Sequence, residues 1–104
     1  MRREELYRQR GVLVRRAFLE PGEASGWHVD ACHRVSVVVS GERLAVEYRD
    51  GSEALELELG PGMVGVDEPS SRVHRAVNVG GRRHEEVVTF LLDRPDQDPQ
   101  PGSD

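Results

Sequence analysis

The chain has very little that could anchor it to anything but its own core. It holds one cysteine, Cys32, so it forms no intrachain disulfide. That suits a reducing compartment, and a cytoplasmic location is the expectation. No apolar run approaches the ~20 residues that a bilayer span needs. The N-terminus is charged without an apolar core, so neither a secretory signal nor a membrane partner is expected. Aromatic residues are few: one Trp, two Tyr and two Phe. A basic stripe is also missing. Arginines do pair, at Arg2-Arg3, Arg15-Arg16 and Arg82-Arg83, but acidic residues intersperse them and the formal net charge is −5. Nucleic-acid modules draw most of their affinity from such a stripe, so no nucleic-acid partner is expected. No internal repeat is visible.

What is present is β patterning. At 104 residues, 37% hydrophobic and 32% charged, the chain is sized for one domain with a modest core. Arg43–Arg49 alternates apolar and polar residues with period two, and Glu53–Leu59 does so again, with Leu55, Leu57 and Leu59 on one face. Asp50-Gly51 between them is a hairpin signal. Further strand-like runs are Val12–Leu19, Val35–Ser40, Met63–Asp67, Arg72–Val79 and Glu86–Leu92, punctuated by Pro21-Gly22, Ser40-Gly41, Gly60-Pro61-Gly62, Glu68-Pro69 and Gly80-Gly81. Short strands at this spacing predict a sandwich or small barrel over 12–92. Residues 1–11 form an N-terminal arm, helical or extended over Arg2–Arg10. Residues 93–104 have three prolines and no apolar anchor, which predicts a disordered tail.

Three residues stand out for chemistry. Gly26-Trp27-His28-Val29-Asp30 reads His-x-Asp, and His74 follows far downstream. Residues two apart on a strand share a face, so His28 and Asp30 can line one cavity. With His74 they make two imidazoles and a carboxylate, the set that holds non-haem Fe(II) with positions left open. His33 has the opposite parity and points away unless a bulge near Ala31-Cys32 re-aims it, which leaves it a reserve ligand or proton shuttle.

Arg34 shares parity with Ser36, Val38 and Ser40, opposite Val35, Val37 and Val39. Either Arg34 and Ser36 face a polar cavity and the valines need cover, or the valines are the core. The His74 strand splits the same way. The polar-cavity reading implies a homodimer through the apolar outer face. It also makes Arg34 a clamp for a substrate carboxylate. Trp27 belongs at the cavity mouth or in packing. His84 lies in a charged stretch and is expected in solvent, and Asn78 is expected to hold backbone.

These residues resemble the motifs of the cupins, a family of jelly-roll β-barrels, over roughly Val12 to Leu92. The first motif runs Gly, five residues, His-x-His, then Glu and Gly. Here Gly22 precedes His28 by that spacing, Asp30 stands at the second His, Arg34 at the Glu, and Gly41 closes it in register. The second motif, Pro-x-Gly-x-x-His-x-x-x-Asn, is met by Pro69, His74 and Asn78, with Arg72 in place of the Gly. The resemblance implies an all-β cupin-type double-stranded β-helix in a single domain. It also implies a ligand set of three His and one Glu, from which this chain departs at two positions. Arg34 cannot ligate a metal, since it stays protonated and has no acceptor. The His-x-Asp…His order is also similar to that of 2-oxoglutarate oxygenases, but no Arg-x-Ser follows His74 and those domains are much longer.

Two functional readings follow, and a third is bland. In the first, a divalent transition metal (Fe, Mn, Ni or Zn) on His28, Asp30 and His74 serves an enzyme for a small anionic organic molecule, by dioxygenase, isomerase, cyclase or lyase chemistry. In the second, an Asp30–Arg34 pair fills the metal position of a metal-free binding or accessory cupin. In the third, side chains fill the cavity of a purely structural dimer module.

Overall fold

The structure is a computed structural model that describes residues 1–102. The disorder expected of Ser103 and Asp104 lies outside the described residues. Every regular element among the described residues is a strand: β1 (Arg2–Gln9), β2 (Val12–Leu19), β3 (His28–Asp30), β4 (His33–Ser40), β5 (Arg43–Tyr48), β6 (Leu55–Glu58), β7 (Val64–Asp67), β8 (Ser70–Asn78) and β9 (His84–Leu91). They form two sheets, ordered β1-β2-β9-β4-β7 and β3-β8-β5-β6, antiparallel at each pairing. The sheets face each other and enclose a cavity, the plan of a double-stranded β-helix.

Residues 1–11 are part of this fabric rather than a separate arm. Gln9 pairs with Val12 across Arg10-Gly11, whose φ angles are 55° and 73°. Two positive φ values in a two-residue loop make a type I′ turn, which matches strand twist and starts a hairpin. β1 shows no apolar alternation because it is an edge strand. Its charges at Arg2, Arg3, Glu4 and Glu5 guard that edge against further pairing.

The tail also departs from what its composition predicts. Val29 N–H donates to the Pro101 carbonyl and Ala31 N–H to the Pro99 carbonyl, each at 2.9 Å, and Gly102 bridges His28. Prolines lack an N–H but keep a good acceptor, so an extended Pro-rich segment can satisfy the free edge of β3 by accepting alone. Gly102 has no room for a side chain, since a Cβ there would meet the Trp27 carbonyl oxygen at 2.5 Å.

The buried apolar cluster belongs to the larger sheet, where Leu13, Val88 and Phe90 pack with Leu92, and Val88 and Phe90 also form part of the cavity wall. Phe18 points to the outer face of β2 yet is buried, because the guanidinium groups of Arg2 and Arg83 cover its ring at 4.5 and 4.2 Å. Elsewhere the inner faces leave a cavity of about 420 Å³, so side chains do not fill the barrel. Leu55, Leu57 and Met63 line it while remaining exposed, which places its mouth beside β6 and the turn before β7. Cross-strand partners share a face. Val35 with Val66, and Val37 with Val64 and Val87, therefore point outward together, away from Arg34 and Ser36.

Candidate metal centre

β3 and β8 bring the three candidate ligands together. His28 lies directly across from His74, and the register then shifts so that Asp30 pairs with Ser70. The two rings are in contact, with centroids 4.6 Å apart and planes inclined at 58°. The ligand atoms of His28, Asp30 and His74 all lie within 4.8 Å of one another.

Each imidazole is held by its far nitrogen. His28 Nδ1 lies 2.7 Å from the Gly26 carbonyl oxygen and His74 Nδ1 2.8 Å from that of Arg72. A carbonyl only accepts, so both Nδ1 atoms carry hydrogen and donate. This fixes both Nε2 atoms as the inward ones, the outer-shell arrangement typical of metal-binding histidines.

Those Nε2 atoms converge on Asp30, at 3.0 Å from His74 to Oδ2 and 3.7 Å from His28 to Oδ1. Two lone pairs do not share 3.0 Å without a cation between them. Without metal, a proton on His74 Nε2 would satisfy this contact. Accordingly, the bond to Asp30 raises the His74 pKa above its ordinary value, against the lowering effect of burial. Burial lowers that of His28, over the opposing pulls of the Gly26 carbonyl and Asp30. Asp30 is 6% exposed. Burial alone would raise its pKa, but His74, Arg34 and Gln100 together bring the carboxyl down to about 2. Two fixed imidazole nitrogens and an ionised carboxylate are the donor chemistry of a facial two-His-one-carboxylate site, so the residues fit a divalent transition metal.

Arg34 adjoins this centre. Its Nη2 lies 3.6 Å from Asp30 Oδ2 and its Nε 3.6 Å from Asp67 Oδ2, so one guanidinium is shared by two carboxylates at long range. Its Nε makes no hydrogen bond and is buried. Ser36 follows on the same face and lines the cavity opposite Gly65. Other expected residues lie elsewhere. Trp27 stacks on Arg75 at 4.4 Å and is not among the cavity-lining residues. His33 is exposed and, as the neighbour of the inward Arg34 on β4, points to the opposite face. Asn78 holds backbone, donating to the carbonyls of Leu19 and Arg82.

Two residues at the cavity escape sequence reading. Gln100, in the tail, donates from Nε2 to Asp30 Oδ1 at 3.2 Å. Nothing in a Pro-rich polar tail signals that it will pair with β3. His84 is 2% exposed and lines the cavity, not solvent. Its signal was parity: His84, Glu86, Val88 and Phe90 form one face once β9 is begun two residues earlier.

Solved structures match this fold. A cupin domain from Bordetella pertussis Tohama I aligns with a TM-score of 0.75 at 19% identity, over 86% of this chain and 90% of that one. An uncharacterised protein with a double-stranded β-helix domain from Klebsiella pneumoniae subsp. pneumoniae MGH 78578 aligns with a TM-score of 0.69 at 20% identity, over 89% and 77%. Oxalate oxidase in complex with the substrate analogue glycolate aligns with a TM-score of 0.61 at 25% identity, over 82% of this chain and 44% of that one. No protein-family model matches the sequence, and no curated protein does. Likeness at this identity bears on fold and not on activity: the chain has the fold of cupin domains, one double-stranded β-helix, with His28, Asp30 and His74 brought together between β3 and β8.

Proposed function

We propose that this protein is a metal-dependent enzyme acting on a small anionic organic molecule. The observation that carries the reading is the pair of Nδ1 hydrogen bonds, which turn both Nε2 atoms toward one buried carboxylate at the end of an open cavity. His28, Asp30 and His74 would hold Fe, Mn, Ni or Zn. Such a metal supplies Lewis-acid polarisation of a bound oxygen, and dioxygen chemistry in the case of iron. Arg34 binds and orients the substrate carboxylate with a guanidinium only loosely held by Asp30 and Asp67. Ser36 offers a hydroxyl beside it. The exposed Leu55, Leu57 and Met63 admit an organic molecule at the mouth. Dioxygenase, isomerase, cyclase and lyase chemistry all suit this arrangement. The free thiol of Cys32 suits the cytoplasm.

Elemental analysis of purified protein tests the reading. Near-stoichiometric metal in the wild type, lost in His74→Ala, is expected. Metal below about 0.2 equivalents in both, after growth and dialysis with each candidate ion, refutes it.

A second reading has an observation of its own. Asp30 is already approached by His74, Arg34 and Gln100, which suits a metal-free binding cupin. In that case added metal displaces no proton and His74→Ala leaves ligand binding intact.

A second copy of the chain completes the proposal. Val37, Val39, Val64, Val66 and Leu91 are all exposed on the larger sheet. Five strands at ~4.8 Å spacing and eight residues at ~3.3 Å present roughly 600 Å², approaching the ~800 Å² per partner of a standard interface.

A further inference from the structure

The metal centre uses one end of the cavity, and the other end holds a polar pair that it leaves unused. The inward residues of β9 run His84, Glu86, Val88, Phe90. Phe90 pairs with Arg34, and Glu86 with Val38. Four residues of β4 separate those two rows, or about 13 Å at ~3.3 Å per residue. Between the rows, Val46, Ala76 and Val88 give an apolar lining around Ser36, with the half-buried Arg15 one strand over, beside Val88.

His84 is buried and neither of its ring nitrogens has a hydrogen-bond partner. Its Nε2 lies 3.6 Å from Glu86 Oε1, too far for a hydrogen bond. The ring is wedged in place, since a Cβ on Gly41 would meet Nδ1 at 2.7 Å. Buried polar atoms are almost always partnered, so this orphaned pair marks a place that another molecule completes. Among the described residues His84 is the only ionic neighbour of Glu86. Arg3 and Arg15, which also line the cavity, make no ion pair with it. A carboxylate beside a ring nitrogen calls for a cationic donor, as Arg34 calls for an anion.

We infer that the cavity binds a small ω-amino carboxylate, with its carboxylate on Arg34, its ammonium between Glu86 and His84, and its apolar chain along Val46 and Val88. An ammonium has three donors and can serve both groups. A cavity of about 420 Å³ accommodates such a molecule. The inference rests on the reading of Arg34 as an anion site and not on bound metal.

Isothermal titration calorimetry of the purified full-length chain, loaded with 6-aminohexanoate or with hexanoate, tests it. The amino compound should bind about tenfold tighter or better, the scale of one charge-assisted contact. Glu86→Gln should reduce it to the affinity of hexanoate, and His84→Asn, a second variant, should weaken it in the same sense. Arg34→Gln should weaken both probes. Equal affinities in the wild type, no saturable binding of either probe, or a preference that survives Glu86→Gln overturns the inference. The preference should appear equally in chelator-treated protein, so failure of the metal reading and failure of this one are separate results.

Discussion

Replacing Asp30 with Asn removes the charge at the hub of the site while keeping its shape, and the consequences can be worked from the surrounding groups. The Asp30 carboxyl titrates at about 2 in the folded protein, against 3.8 ordinarily. At ~1.4 kcal/mol per unit this corresponds to roughly 2 kcal/mol of stability. The folded pKa is depressed, so that stability is present above the ordinary carboxylate range and lost as pH falls through about 2. His74 runs the other way. Its pKa is raised, chiefly by the bond to Asp30. Its contribution is therefore full below the ordinary His value of about 6.5 and disappears as pH rises through the raised one.

Asp30→Asn should abolish both slopes. With chelator present to exclude metal, urea unfolding across pH should show wild type losing about 2 kcal/mol more than the variant between about pH 5 and pH 2. The NMR titration midpoint of the His74 ring should fall in the variant. Parallel stability curves over that acid range, or an unmoved His74 midpoint, would refute the assignment of Asp30 as the charge that organises the site.

Three further outcomes are expected. Metal must displace the proton between His74 and Asp30, so apparent affinity should climb up to about tenfold per pH unit from about 6.5 to the raised His74 value and then level off; competition with a chelating dye measures this, and a flat profile over that window contradicts it. Gln100→Ala removes a donor that helps hold the Asp30 carboxyl low, so the carboxyl midpoint seen by NMR should rise; an unchanged midpoint means the tail does not reach the site. Light scattering should give about twice 11.6 kDa for wild type and the monomer mass for Val37→Glu, whose side chain is on the outer sheet face; a wild-type monomer at high micromolar concentration refutes the dimer.

Periodicity made most of the barrel legible. The alternation of Arg34, Ser36 and Val38 against Val35, Val37 and Val39 has one cavity side and one outer side, and the register with β7 and β9 follows it. His28 and His74 meet because the short β3 pairs with the first half of β8, and the register shift after His28 has no signal in the sequence. The misses share one cause. β1, Gln100 and the setting of His84 depend on partners distant in sequence: a hairpin fixed by Arg10-Gly11, a tail that pairs with a short edge strand, and a strand beginning inside a charged stretch. Local composition reports how soluble a segment is, not which edge it will satisfy.

Arg34 bears most on what the site can do. Where the family resemblance implies a ligating Glu, this chain has a guanidinium, and the carboxylate appears instead four residues earlier at Asp30. The candidate donor set is thereby three protein ligands, where the resemblance implies four. The vacated side of the centre faces a cation whose nearest acceptors, on Asp30 and Asp67, are both 3.6 Å away. At that distance neither partner forms the short bidentate pair that arginine and carboxylate prefer. An incoming carboxylate can therefore take the guanidinium in better geometry than either resident acid, while Asp67 stays beside it to balance charge. A metal held by His28, Asp30 and His74 would then find its open positions beside an anion already oriented. In the proposed function, the residue that replaces a ligand would also be the one that binds the substrate carboxylate. Restoring the acid with Arg34→Glu should tighten metal binding and abolish affinity for small carboxylates together. If metal affinity and carboxylate affinity instead move in the same direction, the exchange of one function for the other is wrong.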